Sequence, residues 1–78
     1  MSDIDLADVT LHIDQTLQGE ELEKLESEYR LREGVVSVRI NPDRPHLLLV
    51  EYNPKILQAR DLLDILHYQG LEGELIGL

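Results

Sequence analysis

The sequence contains no cysteine, and this absence removes several kinds of chemistry at once. Disulfide bonds, thiolate zinc sites, thiol nucleophiles and the soft dithiolate ligands of Cu(I) all require that residue. Phenylalanine and tryptophan are absent too, so the core has to be built mainly from leucine, isoleucine and valine. A chain of 78 residues is expected to form one small domain, near the lower size limit at which such a core is sufficient.

Basic residues are scarce: seven lysines and arginines stand against sixteen acids, and the formal net charge is −9. A phosphate backbone or an anionic membrane would repel this charge, so nucleic acid and membrane are not expected as partners. The opening MSDIDLADV has no basic segment or signal-length apolar run, and the longest apolar run is LLLV. We therefore expect a cytoplasmic protein.

The spacing of apolar residues predicts the element order βαββαβ. Alternation predicts strands over residues 8–14, 35–40, 46–52 and 71–78, and a 3.6-residue period predicts helices over 19–33 and 59–69. The predicted core positions are Val9, Leu11, Ile13, Leu22, Leu25, Tyr29, Val36, Val38, Ile40, Leu48, Val50, Tyr52, Leu62, Ile65 and Leu66.

Short connections between these elements favour a four-stranded antiparallel sheet with both helices on one face. This is an α+β, ferredoxin-like sandwich. Residues 8–78 are expected to form it as a single domain, with residues 1–7 as a flexible N-terminal arm.

Four motifs occur in the order and spacing of a known family: GVVSVRIN, LLVEYNP, LQARDLLDILHYQG and LEGELI. Over residues 9–76 the chain resembles the heavy-metal-associated domain, the fold of copper chaperones and of N-terminal modules in metal-pumping ATPases. In this resemblance, the two cysteines of the family's Met-x-Cys-x-x-Cys loop fall on Gln18 and Glu21, and its methionine falls on Thr16. The resemblance therefore implies a metal loop of unchanged length whose thiol ligands are lost.

A site for harder metals is the alternative at this loop. His12, Asp14, Glu20 and Glu21 offer nitrogen and oxygen ligands that suit Zn(II), Ni(II) or Mn(II). Acids in a first helical turn are also common because the helix dipole favours them, and His12 has the strand parity of the face opposite the helices. The sequence favours this second interpretation, so no cofactor is expected, with a divalent metal ion as the alternative.

The sheet face opposite the helices is a candidate interaction surface. Strand parity places Leu47 and Leu49 there, beside His12 on the first strand and Ile76 on the last. Such contiguous apolar residues often mark contact surfaces, although the N-terminal arm could cover them or they could be scattered surface leucines. RNA binding is not expected, because this face lacks the aromatics on which bases stack.

Catalysis has little support, because no serine, histidine and aspartate are brought together by the predicted elements and no phosphate-binding glycine motif is present. We predict a non-enzymatic docking module, related to metal-handling proteins, that binds a basic protein or itself. The alternatives are metal binding through histidine and carboxylates, and a ligand-sensing regulatory domain that dimerises.

Overall fold

The predicted element order is confirmed in the computed structural model, which describes residues 5–77. The elements are β1 (Ala7–Ile13), α1 (Glu20–Arg30), β2 (Val35–Asn41), β3 (Arg44–Tyr52), α2 (Ala59–Tyr68) and β4 (Gly73–Gly77). Most of the predicted N-terminal arm and the end of the last predicted strand lie outside the described residues. Neither helix within residues 5–77 is long and apolar enough to cross a membrane.

The four strands form one antiparallel sheet in the order β2-β3-β1-β4, and this confirms the ferredoxin-like fold. Alternating strand residues and the apolar stripes of both helices share one core. That core consists of Val9, Leu11, Ile13, Leu17, Leu25, Tyr29, Val38, Leu48, Val50, Tyr52, Leu57, Leu62, Ile65 and Leu66. We call the sheet side that faces this core the covered face, and the other side the open face.

Strand β2 departs from simple alternation near its start, and the predicted inward position of Val36 is wrong. Val35 pairs with Tyr52 of β3, and the next pair joins Ser37 to Glu51, so Val36 is an extra residue in a β-bulge. Its side chain is 53% exposed, whereas Val35 packs against the core in its place. The bulge turns one side chain outward and restores the predicted alternation at Val38, which is buried.

The start of β3 lies at Arg44, two residues earlier than predicted, because Arg44 pairs with Asn41 across a two-residue turn. The next pair between these strands joins Ile40 to Leu48, so residues 45–47 have no partner in β2. Pro45 has no backbone N–H to donate to the sheet. It is tolerated in this irregular stretch because no β2 partner requires that donor.

Helix α1 ends at Arg30, earlier than predicted. The capping position is Leu31, and the Arg32 N–H then donates to the Tyr29 carbonyl at 3.1 Å, which tightens the last turn. Gly34 has a φ of +101°, a conformation that other residues rarely adopt. It therefore shapes the turn that leads into β2.

Tyr29 joins the two helices through the core. Its side chain is fully buried, and its hydroxyl donates a hydrogen bond of 2.6 Å to the Leu62 carbonyl of α2. Burial raises the pKa of the Tyr29 hydroxyl above its ordinary value, because the charged form would lose its hydration. The hydroxyl therefore stays protonated and acts as a donor.

Candidate functional site

The loop that joins β1 to α1 carries Gln18 and Glu21, the positions that the resemblance aligns with the family's thiols. Leu17 is buried and anchors this loop, whereas Gln18 and Glu21 are exposed. The Gln18 N–H donates to Glu21 Oε1 at 3.3 Å, and the Glu21 N–H donates to the Gln18 carbonyl at 2.9 Å. Glu21 thus satisfies a backbone donor at the start of the helix, much as a capping residue does.

Three acids, Glu20, Glu21 and Glu23, occupy the first turn of α1, where the helix dipole favours negative charge. An amide at Gln18 and a carboxylate at Glu21 are hard oxygen donors, so they do not fit the soft metal ions that thiolates bind. The chemistry of the loop is therefore that of an ordinary helix start, and it supports no step through a thiolate-bound metal.

The open face brings the predicted interaction residues to one side of the sheet. His12 of β1 pairs with Leu47 of β3, and the neighbouring pair joins Thr10 to Leu49. Leu49 is 47% exposed, and Ile76 on β4 is 54% exposed beside a register shift in the β1–β4 pairing. Two large apolar side chains thus remain in solvent on the side away from the core.

Two carboxylates face each other at one end of this apolar region. Asp8 of β1 and Glu51 of β3 are direct cross-strand partners, and like charges in that arrangement are destabilising. Ser37 donates a hydrogen bond to Glu51 Oε1 at 3.3 Å, and Arg39 lines the same depression. This depression has a volume of about 210 Å³ and extends to Leu49.

A second group of charged residues lies at the other end of β1. His12 and Asp14 are two residues apart, and Glu74 of β4 is the direct cross-strand partner of His12. His12 Nδ1 is 3.5 Å from Asp14 Oδ1 and 3.3 Å from Glu74 Oε1. Neither oxygen has the geometry of a hydrogen bond with this nitrogen, and His12 Nδ1 is buried with no hydrogen-bond partner among residues 5–77.

The His46 ring packs against the face of the His12 ring. The two rings stack with centroids 5.6 Å apart and an interplanar angle of 14°. His46 Nδ1 lies 2.6 Å from the Ile13 carbonyl, and because a carbonyl only accepts, this nitrogen carries a proton. Its Nε2 is 3.5 Å from Thr16 Oγ1, so His46 is fixed at both ring nitrogens.

Of the four metal ligands proposed from the sequence, the structure brings His12 and Asp14 together. Among residues 5–77, Glu20 and Glu21 do not join them, and Glu74 completes the group instead. Sequence reasoning did not place Glu74 or His46 in this group. Alternation along the last strand could have placed Glu74 on the open face, but the β1–β4 register is needed to place it opposite His12.

No protein-family model matches the sequence, and no curated protein matches it. Solved structures match the fold closely. The N-terminal domain of a potential copper-translocating P-type ATPase from Bacillus subtilis, in its Cu(I)-loaded state, has a TM-score of 0.82 and 23% identity, covering 94% of this chain and 90% of that chain.

Two further structures have the same fold. Oxidized MerP from Ralstonia metallidurans has a TM-score of 0.80 and 14% identity, covering 91% of this chain and 97% of that chain. A putative copper-ion-binding protein from Bacillus anthracis has a TM-score of 0.80 and 17% identity, with coverages of 92% and 100%. These neighbours are heavy-metal-associated domains, so the resemblance drawn from the sequence is confirmed at the level of the fold, in a chain without cysteine.

Proposed function

We propose that this chain is a docking module that binds a basic protein through the open face of its sheet. The observation that carries the proposal is an exposed apolar centre next to paired carboxylates. Leu49 and Ile76 supply the apolar area, and Asp8 and Glu51 supply the charge. The fold supports a relationship with metal-handling domains, and the missing thiols leave contact with another protein as the role that these side chains serve best.

Charge favours a basic partner over a second copy of the chain. Each copy has a formal net charge of −9, so a dimer through this face would bring two acidic surfaces together. A lysine or arginine of a partner would instead lie between two like charges and relieve their repulsion. Long-range attraction to such an acidic surface would mainly increase the rate of association.

The test is affinity capture with the wild type and with the double variant Leu49→Gln/Ile76→Gln, followed by titration of each recovered protein into the labelled chain. We expect a basic protein whose binding shifts the amide signals of β1 and β3. Binding should weaken between about 0.1 M and about 1 M salt, over which the screening length falls from about 10 Å to about 3 Å.

The matched control is Leu31→Gln, which removes a leucine that is 79% exposed on the helix side. This variant should bind as the wild type does, whereas the double variant should not. Sedimentation equilibrium of the free chain tests whether a second copy of the chain binds the open face instead. A dimer that the double variant disrupts would overturn the proposal in favour of self-association, and a small molecule that strengthens that dimer would indicate the ligand-sensing alternative. The cytoplasmic location expected from the sequence stays a prediction.

A further inference from the structure

We propose that His12, Asp14 and Glu74 form a binding site for a divalent metal ion of borderline softness, with Zn(II) as the reference ion. The site lies on the open face at the end of β1, and it shares no residue with the vacated thiol positions. It also goes beyond the docking role, since it needs no partner protein.

Distances between the ligand atoms support a tetrahedral ion. Zinc binds imidazole nitrogen and carboxylate oxygen at about 2.0–2.2 Å, so two ligand atoms in a tetrahedron are about 3.3–3.6 Å apart. His12 Nδ1 is 3.3 Å from Glu74 Oε1 and 3.5 Å from Asp14 Oδ1, and the three ligand atoms lie within 4.8 Å of one another. Two of the three separations therefore already suit a shared ion, with a fourth position left for solvent.

The unsatisfied hydrogen-bonding capacity of His12 Nδ1 is a second observation that points to a bound ligand. Nδ1 is buried and makes no hydrogen bond within the described part of the chain, although two carboxylate oxygens are nearby. A buried polar atom without a partner is destabilising, because it has lost its hydration without gaining a hydrogen bond. A neutral imidazole with its proton on Nε2 presents a lone pair at Nδ1, and a cation between this atom and the carboxylates would satisfy all three groups.

The surrounding structure fixes the ligands in place. The stacked ring of His46 orients His12, and His46 is itself held by the Ile13 carbonyl. On the other side, Gly73 allows β4 to approach β1 closely, because a Cβ at this position would collide with the His12 carbonyl oxygen. This close approach sets Glu74 directly opposite His12. Contacts of this kind orient metal ligands and increase affinity.

The donor set selects the class of ion. One imidazole and two carboxylates suit Zn(II) or Ni(II) better than Cu(I), which prefers sulfur. Two carboxylates neutralise a divalent ion, and the net charge of −9 raises the local concentration of cations.

The test is isothermal titration of the purified chain, free of any histidine tag, with zinc chloride, together with NMR of the imidazole nitrogens. We expect one saturable site per chain and a shift at His12 Nδ1. The Glu74→Gln variant should weaken binding about 10-fold or more, and Asp14→Asn/Glu74→Gln should abolish it. Both substitutions keep the size of exposed side chains, so folding is checked by the unchanged amide spectrum.

The control variant, Glu20→Gln/Glu21→Gln, removes the same charge from the loop side and should leave zinc affinity unchanged. Equal weakening in this variant and in Asp14→Asn/Glu74→Gln would show nonspecific attraction to acids and overturn the proposal. Absence of saturable binding, or shifts that leave His12 Nδ1 unmoved, would overturn it as well.

Discussion

Leu48 and Leu49 follow each other in β3, yet they lie in opposite environments. Leu48 is fully buried on the covered face, and Leu49 is 47% exposed on the open face. The covered face is almost entirely apolar and gains its energy by excluding water. The open face mixes leucines with histidine and carboxylates. The comparison indicates that one sheet side maintains the fold, whereas the other leaves apolar and charged side chains in solvent.

The largest expected effect is a difference in the free energy of unfolding between variants of these two leucines. We expect Leu48→Ala to lower the free energy of unfolding by about 2–5 kcal/mol, because it leaves a cavity in a core that cannot fully close. Leu49→Ala should change it by no more than about 0.5 kcal/mol, as exposed substitutions usually do. Urea denaturation of both variants measures the difference. Similar losses in the two variants would mean that the open face is as tightly packed as the core.

A second pair tests the bulge in β2. Val38→Thr places a hydroxyl in the core and should cost about 1–3 kcal/mol if the hydroxyl finds no partner. Val36→Thr should be nearly neutral, because Val36 is 53% exposed. Denaturation of the two variants under the same conditions provides the check. A substantial loss for Val36→Thr would contradict the register shift between Val35 and Ser37.

The smallest expected effect on the free energy of unfolding concerns the Tyr29 hydroxyl, which is buried in the core. Tyr29→Phe removes the hydrogen bond to the Leu62 carbonyl and should cost about 1 kcal/mol near neutral pH. The pH dependence adds a signature. Burial raises the pKa of Tyr29 in the folded protein above the ordinary value of about 10, so the unfolded chain releases this proton first.

The stability contributed by the Tyr29 proton is therefore complete below pH 10 or so and is lost as the pH rises above it. Tyr52 and Tyr68 are present in both proteins, so they do not contribute to the difference between them. Denaturation curves recorded from neutral to alkaline pH should show the wild type losing its advantage over Tyr29→Phe. A constant difference in the free energy of unfolding between the two proteins across this range would mean that folding does not raise the pKa of the Tyr29 hydroxyl.

Much of the fold could be predicted because alternation in a strand directly reflects which face each side chain occupies. This reasoning separated Leu48 from Leu49 correctly. It was wrong at Val36, because a bulge depends on how β2 pairs with β3 and leaves no mark in the strand's own alternation. The acids at Glu20 and Glu21 are where the helix dipole places them, as the sequence indicated.

The His12 group was only partly predictable. Asp14 lies two residues from His12, so their shared side follows from the strand period. Glu74 is far along the chain and reaches His12 through the pairing of β1 with β4, a long-range register that local patterns do not contain. The position of His46 depends on residues 45–47, which follow the β2–β3 turn and have no partner in β2.

The pairing of β1 with β4 also orders events during synthesis. Strand β1 leaves the ribosome before β3 and β4, and β3 can pair with one of its edges before β4 has been made. The other edge stays open until residues 73–77 emerge, so the nascent chain carries an unpaired strand edge of the kind that promotes aggregation. His12 and Glu74 meet only when this edge closes, so their contact marks completion of the sheet.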